Sequence, residues 1–447
     1  MSKLKRRIMK FDLNPPRVLA LGFLGLIIMG TLLLSLPIAT KSGLSTRLID
    51  SLFTAASAVC VTGLVVVNTS EYWSLFGQVV ILLLIQIGGL GIMTMATIFA
   101  LISGKRIRIK ERLIIKEQLN QETLTGLVKL MKYIIMMTFG IEMMGAILLS
   151  GQFIPEYGIT KGIWYSVFHS ISAFCNAGFD LIGDSFISYS SSLPTISTLS
   201  LLIVLGGLGF SVIIDTGKNR NWKKFSLHTK LVLVLSIALT VMGAIIFLVL
   251  EYNNPSTIGS LPLGEKILSS IFASVVPRTA GFNSIDVAAM EQSSAFLTII
   301  LMFIGGSPGS TAGGIKTATF GVIALATINF VKGEKEVEVF KRRISTEVII
   351  KSLAIVTVGM VMIIFVSFIL TITENKLFLD TLFEATSAFA TVGLTRGITS
   401  DLTWIGKIII VMTMYAGRVG PLTMAFAFGH RKKRRQYRYS EGHISVG

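Results

Sequence analysis

Long apolar runs constrain this 447-residue chain more than any other feature. One run covers residues 18–37, a second covers 231–250, and comparable runs lie near 75–102, 133–149, 193–214, 352–372 and 404–428. Each is close to the roughly 20 residues that a helix needs to cross the hydrocarbon core of a bilayer. Only 15% of the residues are charged and the mean hydropathy is +0.73, whereas soluble chains carry about 25% charged residues. The sequence therefore predicts an integral membrane protein built from helices.

The net charge of +17 lies mainly between these runs. Five segments hold 31 of the 41 Lys and Arg but only 10 of the 24 acidic residues: 1–17, 104–132, 215–230, 332–351 and 430–447. Because they follow every second run, the positive-inside rule predicts that both chain ends are cytoplasmic. The first run is interpreted as a retained helix, since no small-residue cleavage site follows it. The cluster HRKKRR at 430–435 is interpreted as an orientation anchor, with a lipid or nucleic-acid site as the alternative.

Other chemistry finds little support in the residues. Cys60 and Cys175 are expected to serve as small packing residues, and His169 is expected to pack rather than to bind a ligand. No cluster of His, Cys and carboxylates has metal-ligand spacing, and no nucleophile motif or Walker-type phosphate loop is found. The sequence therefore does not predict an enzyme.

Four short apolar segments, each ending in a glycine, recur at intervals of about 100 to 115 residues. Three of them carry a Phe ten residues before the glycine, and in the third segment this distance is nine. The segments are LFTAASAVCVTGL (52–64), VFHSISAFCNAGF (167–179), IFASVVPRTAGF (271–282) and LFEATSAFATVGL (382–394). Four copies in register indicate an internal fourfold repeat.

Each short segment stands between two apolar runs and is itself too short to span a membrane. We therefore expect an all-α integral membrane protein of four helix–pore-loop–helix units, with eight transmembrane helices and four re-entrant half-helices around one pseudo-fourfold pore. The predicted repeats are 18–103, 130–215, 230–331 and 348–429, joined by cytoplasmic linkers 104–129, 216–229 and 332–347, with a cytoplasmic N-terminus 1–17 and a basic cytoplasmic C-terminus 430–447.

The glycine turns are candidates for an ion filter. In the last copy, Thr391-Val392-Gly393 matches the first half of the Thr-Val-Gly-Tyr-Gly loop of potassium-channel filters. Half-helices direct their partly negative C-terminal ends to the pore centre, and backbone carbonyls replace the hydration shell of a cation such as K+. The predicted filter residues are Val61, Thr62, Gly63, Asn176, Ala177, Gly178, Thr279, Ala280, Gly281, Thr391, Val392 and Gly393, with K+ at the four glycines. Four acidic residues lie just beyond the turns: Glu71, Asp180, Asp184 and Asp286. They either raise the cation concentration at the outer mouth or are ordinary residues of solvated loops.

The four loops, with PRTAGF in the third and ATVGL in the fourth, resemble the Trk/Ktr/HKT superfamily of potassium transporters over essentially the whole chain. Members related to Trk usually carry two extra N-terminal spans, so the chain is most similar to the membrane subunits of bacterial Ktr systems. The resemblance implies potassium uptake across the plasma membrane by a homodimer with one pore per protomer. It also implies a cytoplasmic ring of RCK subunits, of the KtrA or KtrC type, that binds ATP or ADP, with Na+ as a candidate activator and no nucleotide on this chain. Plant relatives that favour sodium tend to carry serine at the first-repeat glycine, so Gly63 favours potassium; a sodium-selective or sodium/potassium transporter is the alternative.

The second helix of the third repeat is interrupted by GSPGSTAGGIKTAT at 306–319. Such a segment cannot form a continuous helix at membrane depth, and it is tolerated only where it lines water or protein. It is either a tightly packed kink or a mobile loop beneath the filter; in the resembled superfamily this loop gates the pore. The predicted gating loop, 305–316, comprises Gly305, Gly306, Ser307, Pro308, Gly309, Ser310, Thr311, Ala312, Gly313 and Gly314, with Lys316 at its end.

Three ionisable residues lie within apolar sequence. Arg418 is expected to face a water-filled pore or to pair with an acid, and the resemblance implies an electrostatic barrier in the permeation path or a partner of the gating loop. Glu142 is expected to form a structural hydrogen bond to an adjacent helix, and Arg278 to brace the third filter turn. Channel-like conduction is favoured over coupled transport, although composition alone does not separate the two.

Overall fold

The computed structural model describes residues 15–91, 94, 109–118, 127–334, 336–420, 423–424 and 442. The N-terminal segment up to residue 14, half of the predicted linker 104–129 and the basic cluster at 430–435 lie outside the described residues. The helices are α1 (Pro15–Leu34), α2 (Leu48–Cys60), α3 (Thr69–Tyr72), α4 (Leu75–Leu90), α5 (Ile109–Gln118), α6 (Leu127–Tyr157), α7 (Ile159–Phe174), α8 (Leu193–Leu208), α9 (Phe210–Asn219), α10 (Leu227–Glu251), α11 (Leu263–Val275), α12 (Gln292–Phe303), α13 (Thr317–Val331), α14 (Thr346–Glu374), α15 (Phe378–Ala390) and α16 (Trp404–Val419). Within the described residues, the strands are β1 (Glu338–Val339) and β2 (Arg342–Arg343), which form an antiparallel hairpin.

Each repeat opens with a long apolar helix: α1, α6, α10 and α14. These helices contain 20, 31, 25 and 29 residues, so each is long enough to cross about 30 Å of hydrocarbon. Only 28 to 39% of their most apolar windows is buried within the chain. Most of their apolar surface therefore faces outward, as in helices that contact lipid.

The short repeated segments form four buried helices, α2, α7, α11 and α15. Their repeated phenylalanines are at most 1% exposed and lie in the hydrophobic core: Phe53, Phe168, Phe272 and Phe383. Burial of a phenylalanine at the same position in each helix explains the regular spacing found in the sequence, because each ring holds its helix at one depth against the core.

In the described residues, the helix that follows each short segment ends or bends at a glycine, or is interrupted by a loop; the sequence indicated such a break only for the third repeat. Helices α4 and α16 end at Gly91 and Gly420, and α8 meets α9 at Gly209 with a bend of 97°. These three glycines have φ between 85° and 92°, a conformation that interrupts a helix and that glycine adopts readily. In the third repeat, α12 and α13 are separated by the loop 304–316. The sequence signal that was missed is the glycine pattern of these helices, as in IGGLG and LGGLG.

Four helices in the described part of the chain are long and apolar enough to cross a membrane, or five if the bent pair α8–α9 counts as one span. The remaining candidates are shorter apolar helices, including α4, α12 and α13. The expected set of eight transmembrane helices therefore stays a prediction.

Candidate ion filter and gating loop

The four repeat glycines form a closed ring. A Cβ atom added at Gly63 would lie 2.5 Å from the carbonyl oxygen of Ala177, and one at Gly178 would lie 2.8 Å from the carbonyl oxygen of Ala280. At Gly281 and Gly393 the added atom would overlap the carbonyl oxygens of Val392 and Thr62, respectively. Each of these carbonyls belongs to the residue directly before the next glycine, so the repeats follow one another around the ring in the order 1, 2, 3, 4. No side chain fits at these positions without displacing a neighbouring backbone.

The backbone before each glycine takes the same unusual conformation. Two residues upstream, φ is 57° at Val61, 58° at Asn176, 90° at Thr279 and 51° at Thr391. Non-glycine residues adopt positive φ infrequently and with a cost of about 1–3 kcal/mol. The repetition of this strain in all four repeats indicates that it builds one common feature. The turn ends each buried helix with its partly negative C-terminus beside the ring.

Serine side chains hold three of the four turns. The Oγ atoms of Ser57 and Ser387 accept hydrogen bonds from the backbone N–H of Gly63 (3.0 Å) and Gly393 (3.1 Å). In the second repeat, Ser172 at the equivalent position instead donates to the carbonyl of Phe179 at 2.8 Å. The third repeat, which is one residue shorter, has Val276 at this distance from its phenylalanine. Arg278 lies in this turn, and its guanidinium donates to Ser236 and Thr240 on α10 at 3.1–3.2 Å. These contacts are consistent with the expected bracing role.

The loop 305–316 contacts the ring beside the C-terminal ends of α7 and α15. The Thr311 hydroxyl donates to the carbonyl of Phe174, or to that of Gly206, at 3.0 Å and accepts from the Asn176 amide at 3.0 Å. Gly313 lies so close to Thr391 that an added Cβ would overlap its hydroxyl oxygen. The loop therefore contacts residues of the second and fourth turns at the end nearest the buried helices.

Backbone hydrogen bonds close the base of this loop. The N–H of Gly305 donates to the carbonyl of Ile315 at 2.9 Å, and the N–H of Thr317 donates to the carbonyl of Gly306 at 3.0 Å. The ammonium group of Lys316 donates to the carbonyl of Ala312 at 2.6 Å. These bonds satisfy polar backbone groups that would otherwise be costly at membrane depth.

Arg418 joins the loop to two other repeats. Its guanidinium donates to the carbonyl of Thr311 in the loop and to the carbonyls of Gly88 and Gly89 on α4. Its partners in the structure are backbone carbonyls rather than an acid, and the alternative that it faces a pore stays a prediction. Among the described residues, the ion pairs of the chain do not include Arg418 or Lys316. Two basic side chains therefore lie at the loop without an acidic partner among the described residues.

Other sequence-predicted residues lie outside this centre. Glu142 on α6 accepts hydrogen bonds from the Gln86 amide of α4 at 3.0 and 3.2 Å, which confirms the expected bond to another helix. Cys175 is fully buried beside it, as expected for packing. Asp180 accepts from the backbone N–H groups of Ile182 and Gly183, so its carboxylate stabilises a turn. No group of three or more metal-ligating side chains occurs in the described part of the chain.

A ring of backbone turns supplied by four repeats of one membrane chain is the architecture of an ion-transporting protein rather than of an enzyme. Residues 22–435 match the model of the TrkH family, described as cation transport protein. The chain belongs to this family, which confirms the recognised superfamily and the expectation that the chain is not an enzyme.

Named relatives cover nearly the whole chain. It is 46% identical over 435 residues to Ktr system potassium uptake protein B of Bacillus subtilis, covering 97% of both chains. It is 42% identical to the potassium/sodium uptake protein NtpJ of Enterococcus hirae over the full length of both. The crystal structure of the potassium transporter TrkH from Vibrio parahaemolyticus matches with a TM-score of 0.74, covering 94% of this chain and 86% of that chain at 17% identity. This last similarity establishes the fold.

Proposed function

We propose that the protein takes up K+ across the plasma membrane as the ion-translocating subunit of a Ktr-type system. The observation that carries the proposal is the closed ring in which each repeat glycine lies beside the carbonyl that precedes the next glycine. Carbonyls arranged around one axis can replace the hydration shell of a monovalent cation. Relatives named for potassium uptake support K+ as the transported ion.

Expression in cells that lack their own potassium-uptake systems tests this function. We expect growth at low external K+ and saturable uptake of K+ or Rb+. A chain that reaches the membrane but gives neither growth nor uptake, even with a cytoplasmic partner from a Ktr system, would contradict the proposal.

A potassium/sodium transporter is the second candidate, because one relative is named for uptake of both ions. Uptake of Na+ measured in the absence of K+ separates the two possibilities. Strong preference for K+ and Rb+ is expected, because glycine rather than serine stands at Gly63.

In the proposed topology, α2, α7, α11 and α15 are re-entrant half-helices and the flanking helices make eight spans. The repeats are those expected from the sequence, 18–103, 130–215, 230–331 and 348–429, with both termini in the cytoplasm. Support comes from the apolar outward surface of the long helices and from the basic segments that follow alternate runs. Cysteines introduced into the linker 216–229 are expected to react only with reagents applied from the cytoplasmic side.

We further propose that the loop 305–316 obstructs the pathway and that Arg418 stabilises this closed arrangement. The loop has contacts to Asn176 and Phe174 at the ring and to Arg418 on the other side. Because most of its residues are small, few packing contacts need to break for the loop to adopt a second arrangement.

The proposed partners are a second copy of this chain and a cytoplasmic ring of RCK subunits that binds ATP or ADP. Support comes from the name of the Bacillus subtilis relative, which assigns it to a Ktr system. Co-purification with such a ring, and a nucleotide-dependent uptake rate, would be the expected results.

A further inference from the structure

One position differs in chemistry among the four otherwise similar half-helices. The residue that follows the buried phenylalanine is Thr54, His169, Ala273 or Glu384 in repeats 1 to 4. His169 and Glu384 are both 0% exposed. Buried ionisable or polar groups are costly unless they are hydrogen-bonded, so their partners identify what they do.

His169 ties its half-helix to the chain that leaves the second turn. The Nδ1 atom lies 2.8 Å from the carbonyl of Tyr165, and Nε2 accepts a hydrogen bond from the backbone N–H of Leu181 at 3.1 Å. Leu181 stands three residues after Gly178. The two bonds together require the neutral imidazole with its proton on Nδ1, because Nε2 must accept. The imidazole of His169 thus fixes the extended segment that follows Gly178 to its half-helix.

Glu384 does the same for the fourth turn with different chemistry. Its Oε2 accepts from the hydroxyl of Thr395 at 2.8 Å, and its Oε1 accepts from the hydroxyl of Thr399 at 2.5 Å. Thr395 stands two residues after Gly393. The carboxyl group therefore fixes two points of the segment that leaves this turn.

The equivalent residues of the first and third repeats make no such bond. The Thr54 hydroxyl donates to the carbonyl of Asp50 within its own helix at 2.9 Å, and Ala273 has no polar side-chain atom. Because the repeats follow one another around the ring in the order 1 to 4, the two tied turns are diagonally opposite. A purely structural role, in which each polar group satisfies only its own loop, would not require this arrangement.

We propose that His169 and Glu384 are positioning residues that set the geometry of the outer half of the filter and thereby its preference for K+ over Na+. This inference rests on the proposed filter. Besides the serine bonds within the turns, two opposite walls have this further tie between the half-helix and the segment that leaves the turn, so we expect the ring to resist contraction along one diagonal. A contracted ring would place carbonyl oxygens at distances that suit the smaller Na+.

The test uses full-length protein reconstituted into vesicles, with competition between Rb+ and Na+ as the readout. The variants His169→Phe and Glu384→Met remove the bonds and put a somewhat larger apolar side chain in place of each polar one. Each is expected to lower the Rb+ to Na+ selectivity by about tenfold, the scale of one buried hydrogen bond. Glu384→Gln and His169→Gln keep an acceptor and are expected to retain most of the selectivity. The matched control is Thr54→Val, at the equivalent untied position, which is expected to leave selectivity unchanged.

Unchanged selectivity in both folded disruptive variants, or an equal loss in Thr54→Val, would overturn the inference. If a disruptive variant fails to assemble, the corresponding glutamine variant is measured instead. A loss of selectivity in that glutamine variant as large as the loss in Gly393→Ser would also overturn the inference. The filter assignment has its own test: if the four glycines do not form the filter, Gly393→Ser leaves selectivity intact. If Gly393→Ser alters selectivity and neither tie variant does, the filter stands and the positioning role is wrong.

Discussion

A serine at Gly393 should weaken K+ binding because of where its Cβ would be placed. The residue has φ of 97°, and a Cβ there would overlap the carbonyl oxygen of Thr62 and lie 3.0 Å from the Cα of Gly63. Two costs follow: the strained φ, about 1–3 kcal/mol, and displacement of the neighbouring first turn. Only the second cost changes the spacing of the ring carbonyls.

Gly397 supplies a matched control in the same segment. Its φ is 94°, but a Cβ there would meet nothing within 4 Å. The variant Gly397→Ser therefore has the conformational cost without the displacement. If displacement weakens the bound state by about 1.4 kcal/mol, the K+ concentration for half-maximal uptake rises about tenfold.

The assay is Rb+ or K+ uptake against external concentration in cells that lack their own uptake systems, with the amount of membrane-inserted protein measured in parallel. We expect a rise of about tenfold in half-saturation for Gly393→Ser and little change for Gly397→Ser. Equal effects of the two variants would show that strain in the segment, rather than ring geometry, controls affinity. Unchanged affinity in all four single serine variants of the ring would refute the filter assignment itself.

Three further results are expected. Arg418→Gln should raise flux, because it removes a positive group and its bonds to the loop and α4; unchanged flux, with a cysteine at 418 inaccessible to cytoplasmic reagents, would contradict this. Deletion of 309–312 should raise flux and reduce its dependence on a nucleotide-binding partner, and lower or fully nucleotide-dependent flux would place the gate elsewhere. Gly206→Ala should lower the thermal stability of the purified protein by several degrees, because the added Cβ overlaps the carbonyl oxygen of Phe174. In contrast, Gly217→Ala, which meets nothing within 4 Å, should not; equal melting temperatures would contradict the packing argument.

The fourfold repeat was predictable because each copy must make the same turn at the same depth. A buried phenylalanine and a glycine without space for a Cβ are requirements that leave a visible spacing in the sequence, as at Phe53 and Gly63. The positive φ two residues before each glycine was not predictable. Valine, asparagine and threonine occupy this position. Valine and threonine seldom adopt positive φ, so the residue type does not indicate this conformation.

Contacts between repeats also could not be predicted from the sequence. The partners of Arg418 are backbone carbonyls, and a carbonyl has no residue type by which it can be recognised. His169 was expected to pack, and its ring does lie among Phe153, Phe186 and Tyr165. Its bond to Leu181 was missed, because only the folded chain shows which backbone N–H lies next to a buried imidazole. Comparison of the four equivalent positions would have shown that two of them carry ionisable side chains, His169 and Glu384.

One departure from fourfold symmetry bears on how the proposed gate works. In repeats 1, 2 and 4 a glycine of the second helix packs directly on a carbonyl of the half-helix, so that a Cβ at Gly88, Gly206 or Gly417 would overlap it. In the third repeat, the glycine at the corresponding place, Gly305, packs on Gly313 of its own loop instead. The loop thus takes the position where the other repeats join the second helix to the half-helix. In the proposed gate, the absence of that junction would let the loop move without pulling directly on the turn of the third repeat. Arg418, one residue after Gly417, would hold or release the loop.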